Sequence, residues 1–140
     1  MIAIDTNVLV YSMDADEPSK QERALGLLDR LIREGKKPVL LWQVACELLS
    51  QLRNWEKRGK LDPGSVEAIF GRFTGVFQVV KPGDSVFGLS FRLREEYSLS
   101  HWDSLILAAC LDSNIREIYS EDFSSGASYR GVRVINPFRD

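Results

Sequence analysis

Four acidic residues of this chain fall where a folded α/β protein could bring them together: Asp5, Glu47, Asp103 and Asp122. Asp5 ends a short β-branched apolar run at the beginning of the chain, and Asp122 follows a later apolar run. Glu47 and Asp103 lie near the beginnings of two segments with helical periodicity. Carboxylate oxygens are the ligands that Mg²⁺ and Mn²⁺ prefer, so the acids suggest metal-assisted chemistry.

The elements that must position these acids follow from the apolar periodicity. Strands are predicted at 2–4, 39–42, 76–80, 115–119 and 132–135, and helices at 6–12, 17–34, 43–58, around 66–73, 84–97 and 102–113. A loop of small residues, 124–128, precedes the last strand. Strands separated by such helices imply a parallel sheet with right-handed crossovers and helices on both faces. We therefore predict one three-layer α/β/α domain over residues 1–140.

In that architecture the acids meet at the carboxyl edge of the sheet, where open α/β proteins bind their ligands. Asp5 and Asp122 follow strands directly, while Glu47 and Asp103 open helices that start from the same edge. Two unit charges ~4 Å apart repel by about 4 kcal/mol at an effective dielectric of about 20. A hard divalent cation resolves this repulsion, so the placement predicts a metal site.

Each acid also has a purely structural explanation. Asp5 is a favoured helix N-cap, and Glu47 would suit the dipole of a first helical turn. Asp103 stands three residues after Ser100, as in a capping box, and Asp122 would suit a turn. None of these explanations accounts for all four acids lying at one sheet edge.

Composition narrows the class of protein. The chain is 44% hydrophobic and 27% charged with a formal charge of −2, which neither indicates nor excludes a nucleic-acid partner. It has no apolar run near the ~20 residues of a membrane span and no basic leader, which predicts a cytoplasmic protein without a membrane partner. Cys46 and Cys110 lack metal or redox spacing and are predicted to be buried thiols. His101 is the only histidine, which excludes a multi-histidine zinc site within one chain.

The order of the motifs is similar to that of a known family. Asp5-Thr6-Asn7, Glu47 in the third helix, Ser100-His101-Trp102-Asp103 and Ser120-Glu121-Asp122-Phe123 together resemble the PIN-domain ribonucleases, and within them the VapC-type toxins of toxin–antitoxin pairs. Each motif is weak alone, but their order and spacing over the whole chain form a strong joint signal. The resemblance implies a five-stranded parallel sheet in the order 3-2-1-4-5 and an Mg²⁺- or Mn²⁺-dependent ribonuclease using one or two ions. It also implies frequent homodimers and inhibition by a small cognate antitoxin.

The resemblance also assigns roles by position. Asp5, Glu47 and Asp103 match the three principal acids of the family, and Asp122 matches a fourth, more variable one. A cation would be held by Asp5, Asp103 and Asp122. Ser120 matches a hydroxyl beside the metal, and Thr6 or Asn7 would orient Asp5. The neighbouring Glu121 leaves open which carboxylate faces the metal, and we expect Asp122 to do so.

A basic stretch on the third helix is a candidate path for the RNA backbone. It contains Arg53, Lys57 and Arg58, with Lys60 following and Trp55 between them. The alternative is a solvated helix face without a ligand.

Three other interpretations need weighing. A haloacid-dehalogenase-type phosphatase also starts from an Asp after its first strand, but it needs a second Asp where this chain has Asn7. A receiver domain needs adjacent acids at that strand end, and Thr6 breaks the pair. A PIN-like module that binds RNA or an antitoxin without catalysis is the alternative from a different class, and the presence of all four acids argues against it.

Overall fold

The computed structural model describes residues 1–124 and 126–139. Its strands are β1 (Ile2–Ile4), β2 (Val39–Leu41), β3 (Gln78–Val80), β4 (Glu117–Tyr119), β5 (Ser128–Tyr129) and β6 (Val132–Ile135). Its helices are α1 (Thr6–Tyr11), α2 (Pro18–Arg33), α3 (Trp42–Lys57), α4 (Val66–Val76), α5 (Ser85–Tyr97) and α6 (His101–Asp112).

The six strands form one sheet in the order β3-β2-β1-β4-β6-β5. All neighbours from β3 to β6 pair in parallel, and β1 lies between β2 and β4 with Ala3 opposite Val39 and Ile118. The predicted fifth strand is β6, so the predicted order 3-2-1-4-5 is confirmed. The prediction of five strands was wrong by one, because β5 adds an antiparallel edge strand to β6.

The extra strand results from a tight turn that follows the segment predicted as a loop, 124–128. Arg130 and Gly131 connect Tyr129 to Val132, and both have positive φ, 49° and 89°. Two consecutive residues in the left-handed backbone conformation form a two-residue hairpin turn whose twist matches that of the flanking strands. Ser128 therefore begins a strand instead of ending a loop, while Ser125, also in the predicted loop, lies outside the described residues.

The core lies on both faces of the central strands. Ala3, Ile4, Leu40 and Leu41 are almost completely buried, as expected for a parallel sheet covered on both sides. Helix α1 contacts α2 and α3, and α3 contacts α4, while α5 packs on α6, which also contacts β2 and β6. The three-layer α/β/α arrangement is thus present, with α6 buried over most of its surface as its apolar sequence predicts.

A few local predictions need correction. Strand 76–80 begins only at Gln78 because Val76 still belongs to α4, and Trp42 opens α3 instead of ending β2. Cys110 is buried as predicted, but the prediction for Cys46 was wrong, since it is exposed in a groove that it lines with Pro82 and Trp102. Among the described residues, no helix combines the length and the apolar character needed to cross a membrane.

Candidate active site at the carboxyl edge of the sheet

Asp5 is placed by the central strand and is almost completely buried, with 2% of its surface exposed. Its backbone N–H donates to the carbonyl of Tyr119 on β4, at 2.9 Å, so the residue continues the sheet ladder. Its Oδ1 accepts the N–H of Thr6 at 2.7 Å and caps α1. The capping explanation is therefore correct, but it occupies only one of the two carboxylate oxygens.

The second oxygen of Asp5 is held by Ser120, which directly follows β4 and is fully buried. The Ser120 hydroxyl donates to Asp5 Oδ2 at 2.6 Å and accepts the N–H of Asp122 at 3.0 Å. One hydroxyl therefore joins the residues that follow two neighbouring strands. Asp5 is fixed in one orientation before any ligand arrives.

Asn7 connects α1 to the turn after β4. Its Oδ1 accepts the N–H of Glu121 at 3.1 Å, and its Nδ2 donates to Asp122 Oδ2 at 3.4 Å. Asn7 thus orients Asp122, whereas Asp5 is oriented by Thr6 through its backbone N–H. An amide at this position accepts and donates simultaneously, which a carboxylate cannot do at neutral pH.

Glu47 reaches the same edge from α3. Its Oε2 accepts the hydroxyl of Thr6 at 2.9 Å, and its Oε1 accepts Nε2 of Gln43 at 3.0 Å. Because α3 begins at Trp42, Glu47 lies in the second helical turn, so the alternative that it serves the dipole of a first turn was wrong. Gln43 was not predicted from the sequence, although its spacing of four residues from Glu47 is the signal for a helix-face pair.

Asp103 lies in the first turn of α6, whose N-cap is Ser100. The Ser100 hydroxyl accepts the Asp103 N–H at 3.3 Å, as a capping box requires. Within residues 1–124 and 126–139, however, the Asp103 carboxylate makes no hydrogen bond back to Ser100. The negative charge of Asp103 instead acts on Asp122 and raises the pKa of that carboxyl group.

Asp5, Glu47, Asp103 and Asp122, called the acidic site from here on, form one electrostatic group. Burial raises the pKa of Asp5 to about 6, and the charges of Asp122 and Glu47 add to that rise against the hydrogen bonds from Ser120 and Thr6. Partial burial and the charges of Asp103, Glu121 and Glu47 raise the pKa of Asp122. No Lys or Arg among the described residues pairs with any of the four acids.

Glu121 turns away from this group. Its carboxylate accepts a hydrogen bond from Lys20 on α2, while Asp122 faces Asn7 and Asp103. The choice between the two neighbouring acids thus falls on Asp122 as the member of the acidic site. Lys20 was missed in the sequence because nothing in the spacing of α2 connects it to the turn after β4.

The donor set suits a hard divalent cation, because it consists of carboxylates and hydroxyls with excess negative charge. In the part of the chain that the structure describes, no three Asp, Glu, His or Cys side chains already converge on one point as metal ligands. Both oxygens of Asp5 and of Glu47 are instead engaged in hydrogen bonds within the protein. The residues fit the cation chemically, and the carboxylates hold separate positions around the edge.

The predicted RNA-path residues lie farther along α3. Arg53 is exposed and lines a groove between α3 and α4 with Glu56 and Phe70. Lys57 and Arg58 are exposed at the carboxyl end of the helix, about 15 Å along its axis from Glu47 at 1.5 Å per residue.

Two further members of that basic stretch are already engaged. Trp55 is buried and cannot stack on a base, contrary to the idea of an exposed aromatic between the cations. Lys60 pairs with Asp14 at 2.8 Å and Asp16 at 3.0 Å.

The fold and the site define a class: a mostly parallel α/β domain with an uncompensated group of four carboxylates at one edge of its sheet. The sequence matches the family model of the PIN domain over residues 2–124, so the chain belongs to the PIN-domain family. PIN domains are generally nucleases that hydrolyse phosphodiester bonds. Comparison with curated proteins finds no significant match.

Solved structures share the fold over nearly the whole chain. A chain of a toxin–antitoxin complex from Klebsiella pneumoniae is 19% identical with a TM-score of 0.69, covering 98% of both chains. A chain of FitAcB from Neisseria gonorrhoeae is 20% identical with a TM-score of 0.70, covering 99% of both. A chain of VapBC2 from Rickettsia felis, bound to a DNA fragment from their promoter, is 15% identical with a TM-score of 0.70, covering 96% of this chain and 97% of that one.

Proposed function

We propose that the chain is an Mg²⁺- or Mn²⁺-dependent ribonuclease that acts as the toxin of a toxin–antitoxin pair in the cytoplasm. The observation that carries the proposal is the acidic site itself: four carboxylates interact at one sheet edge without a basic partner among the described residues. Such an arrangement is unfavourable for folding and useful for holding a cation. Membership of the PIN-domain family supports phosphodiester hydrolysis as the reaction.

Asp5, Asp103 and Asp122 are the residues that would hold a cation, and Glu47 would hold a second one or orient the attacking water. When bound, the cation supplies a water of lowered pKa and positive charge for the transition state. Ser120 and the Thr6 N–H keep Asp5 in one orientation, and Asn7 keeps Asp122 in one orientation. The side chains that anchor the acids therefore reduce the rearrangement needed when substrate binds.

The exposed residues Arg53, Lys57 and Arg58 are proposed as contacts for RNA phosphates some way along the strand from the cleaved bond. Each adds a charge along one helix that begins near the acids. Contacts of this type are not sequence-specific and weaken with salt. They position the RNA without selecting it.

The test is cleavage of defined RNAs by the purified chain with EDTA, Mg²⁺ or Mn²⁺. Cleavage should require the cation, and Asp5→Asn should lower its rate at least about 100-fold, because the buried carboxylate is lost at unchanged size. Asp29→Asn, at an exposed ion pair with Arg33, is the matched control and should cleave as the wild type does. Cleavage in EDTA, or equal rates for Asp5→Asn and wild type, would contradict the proposal.

One observation favours the alternative of a binding module without catalysis: no three side chains of the described residues already converge as ligands. The same experiment separates the two functions. A module of that kind would bind RNA or a protein partner equally well with or without the cation, and it would leave every RNA intact.

An antitoxin partner is supported by the solved structures of similar fold, two of which are described as toxin–antitoxin or VapBC assemblies. Expressed without a partner, the chain should arrest growth, and the Asp5→Asn form should not. Equal arrest by both forms would show that cleavage at the acidic site is not the cause.

A homodimer is proposed through the outer face of α5. Phe87 is 63% exposed and Phe91 is 73% exposed, and Gly88 lies between them in the helix. Together these two side chains form a larger apolar patch than a single exposed residue would. Asp84 and Arg92 lie four residues before and after Gly88, and neither has an ion-pair partner among the described residues. Two antiparallel copies of α5 crossing at Gly88 would place each Asp84 opposite the other copy's Arg92, as a two-fold interface requires.

Sedimentation of the purified chain tests this interface. Phe91→Glu should convert a dimer to a monomer, because it puts a charge at the centre of the apolar contact. Val76→Glu is the control at another exposed apolar residue, 61% exposed on α4, and should leave the dimer intact. A monomeric wild type, or equal dissociation by both variants, would argue against the α5 face.

A further inference from the structure

Lys20 occupies a junction of four chain segments near the acidic site. It lies in the first turn of α2, and its ammonium donates to Glu121 in the turn after β4 and to the Tyr11 hydroxyl at 3.1 Å. The same Nζ lies 4.5 Å from the centre of the Tyr11 ring and 5.8 Å from that of Phe138. These rings contact each other edge to face, with centroids 5.0 Å apart. The ammonium is thus surrounded by an acid, a hydroxyl and two aromatic faces.

Its partner Glu121 stands between two residues of the site. Ser120 on one side holds Asp5, and Asp122 on the other side is a member of the acidic site. The backbone of Glu121 is tied to the site by its N–H bond to Asn7, while its side chain points to Lys20. Asn7 therefore holds the backbone of the turn, and Lys20 holds the side chain of Glu121.

We propose that Lys20 is a positioning residue for the acidic site. By binding the Glu121 carboxylate it keeps that acid out of the site and fixes the turn 120–122, so that Asp122 faces Asp103 and Asn7. The inference rests on the proposed function, since the property that it sets is the affinity of the site for a divalent cation. Partners of this kind that orient a metal-holding carboxylate change metal affinity by about 10- to 100-fold when removed.

Two simpler roles predict different results. If Lys20 acts only as a nearby positive charge, removing it should strengthen cation binding, because one repulsion is lost. If it is only a surface ion pair, removing it should leave cation binding unchanged and alter stability slightly. Of the three roles, only positioning predicts that replacing Lys20 weakens cation binding, even though the replacement also removes a repulsion.

Lys60 provides a matched control within the same chain. It also pairs with acids, Asp14 and Asp16, and its Nζ lies 4.3 Å from the centre of the Trp55 ring. Neither acid has a hydrogen bond to a member of the acidic site among the described residues. Replacing Lys60 therefore removes an ammonium that pairs with acids and lies over an aromatic ring, as replacing Lys20 does, but leaves the turn 120–122 unchanged.

The experiment is calorimetric titration of the full chain with Mn²⁺, well below the melting temperature of each variant. Lys20→Met keeps the apolar stem and should weaken Mn²⁺ binding by about 10-fold. Lys60→Met should stay within about twofold of the wild type. Lys20→Arg, which retains a cation for Glu121, should recover most of the affinity.

The outcomes separate the inference from the proposed function. A wild type that takes up no Mn²⁺ would overturn the proposed function. A wild type that binds Mn²⁺ while Lys20→Met binds equally well or more tightly would overturn the role of Lys20 alone. Lys20→Ala, which also removes the donor to Glu121, is measured alongside; if the Met variant does not fold, equal or tighter binding by the Ala variant overturns the role.

Discussion

Two groups of carboxylates in this molecule have the same residue types and opposite environments. Asp14 and Asp16 share the ammonium of Lys60, and the hydrogen bond from Lys60 lowers the pKa of Asp14. At the acidic site burial and neighbouring acids raise the pKa of Asp5, and the available Lys20 binds Glu121 instead. The first group has a cationic partner and stabilises a surface, whereas the second has none among the described residues. Uncompensated charge, more than the presence of acids, distinguishes a candidate site from ordinary surface chemistry.

The largest expected effect of this difference is stabilisation by a cation. Mn²⁺ at about 1,000 times its dissociation constant should raise the free energy of unfolding by about 4 kcal/mol, because it binds only the assembled site. Thermal melting with and without Mn²⁺ measures this. Asp5→Asn should lose most of the gain, and Asp14→Asn should keep it. Equal gains for both variants would remove the distinction between the two groups.

A smaller effect is expected in the metal-free protein as a function of pH. The folded pKa of Asp5 is raised to about 6 from 3.8, so its ionised form opposes folding above pH 6 and this penalty disappears as the pH falls through 3.8. Asp5→Asn in EDTA should therefore be more stable than the wild type at about pH 8, by roughly 1–3 kcal/mol. The advantage should vanish near pH 4. Urea unfolding at several pH values measures both, and a less stable Asp5→Asn at high pH would contradict the cost of burying the ionised Asp5 carboxylate, to which the neighbouring acids add.

The smallest effect belongs to the group paired with Lys60 and has the opposite sign. The pKa of Asp14 is lowered by Lys60, so its ionised form favours folding above the ordinary Asp pKa and the benefit is lost as the pH falls through the folded value. Asp14→Asn should lower the melting temperature slightly at pH 7 and not at about pH 3. A clearly higher melting temperature of Asp14→Asn at pH 7 would mean that Asp14 is destabilised by its surroundings, as Asp5 is.

The sequence was sufficient for the parts of the fold that depend on local pattern and on general rules of α/β topology. Asp5 could be placed because a buried strand must end there, and the carboxyl ends of parallel strands share one edge. The same rule located Asp122, and helix periodicity located Glu47 and Asp103. The structure brings these four acids into electrostatic contact, as the sequence predicts. The single-domain prediction and the catalytic roles remain predictions.

What could not be predicted depends on contacts between distant segments. Lys20 and Glu121 are 101 residues apart, and no periodicity links them. Trp55 lies among charged residues in the sequence, yet tertiary packing buries it. The hairpin at Arg130 and Gly131 was missed because only Gly is a usual turn residue there, and the Arg takes positive φ within an edge strand pair. Cys46 is exposed because it faces an open groove that it lines with Pro82 and Trp102, two residues distant in sequence.

The position of β1 in the sheet has a consequence for synthesis. β1 is synthesised before β4, its neighbour in the sheet, which is made more than a hundred residues later. Until β4 arrives, Asp5 has neither the carbonyl of Tyr119 nor the hydroxyl of Ser120 to hold it. A nascent chain therefore carries its acids apart from one another, and the acidic site can assemble only after translation has passed residue 122.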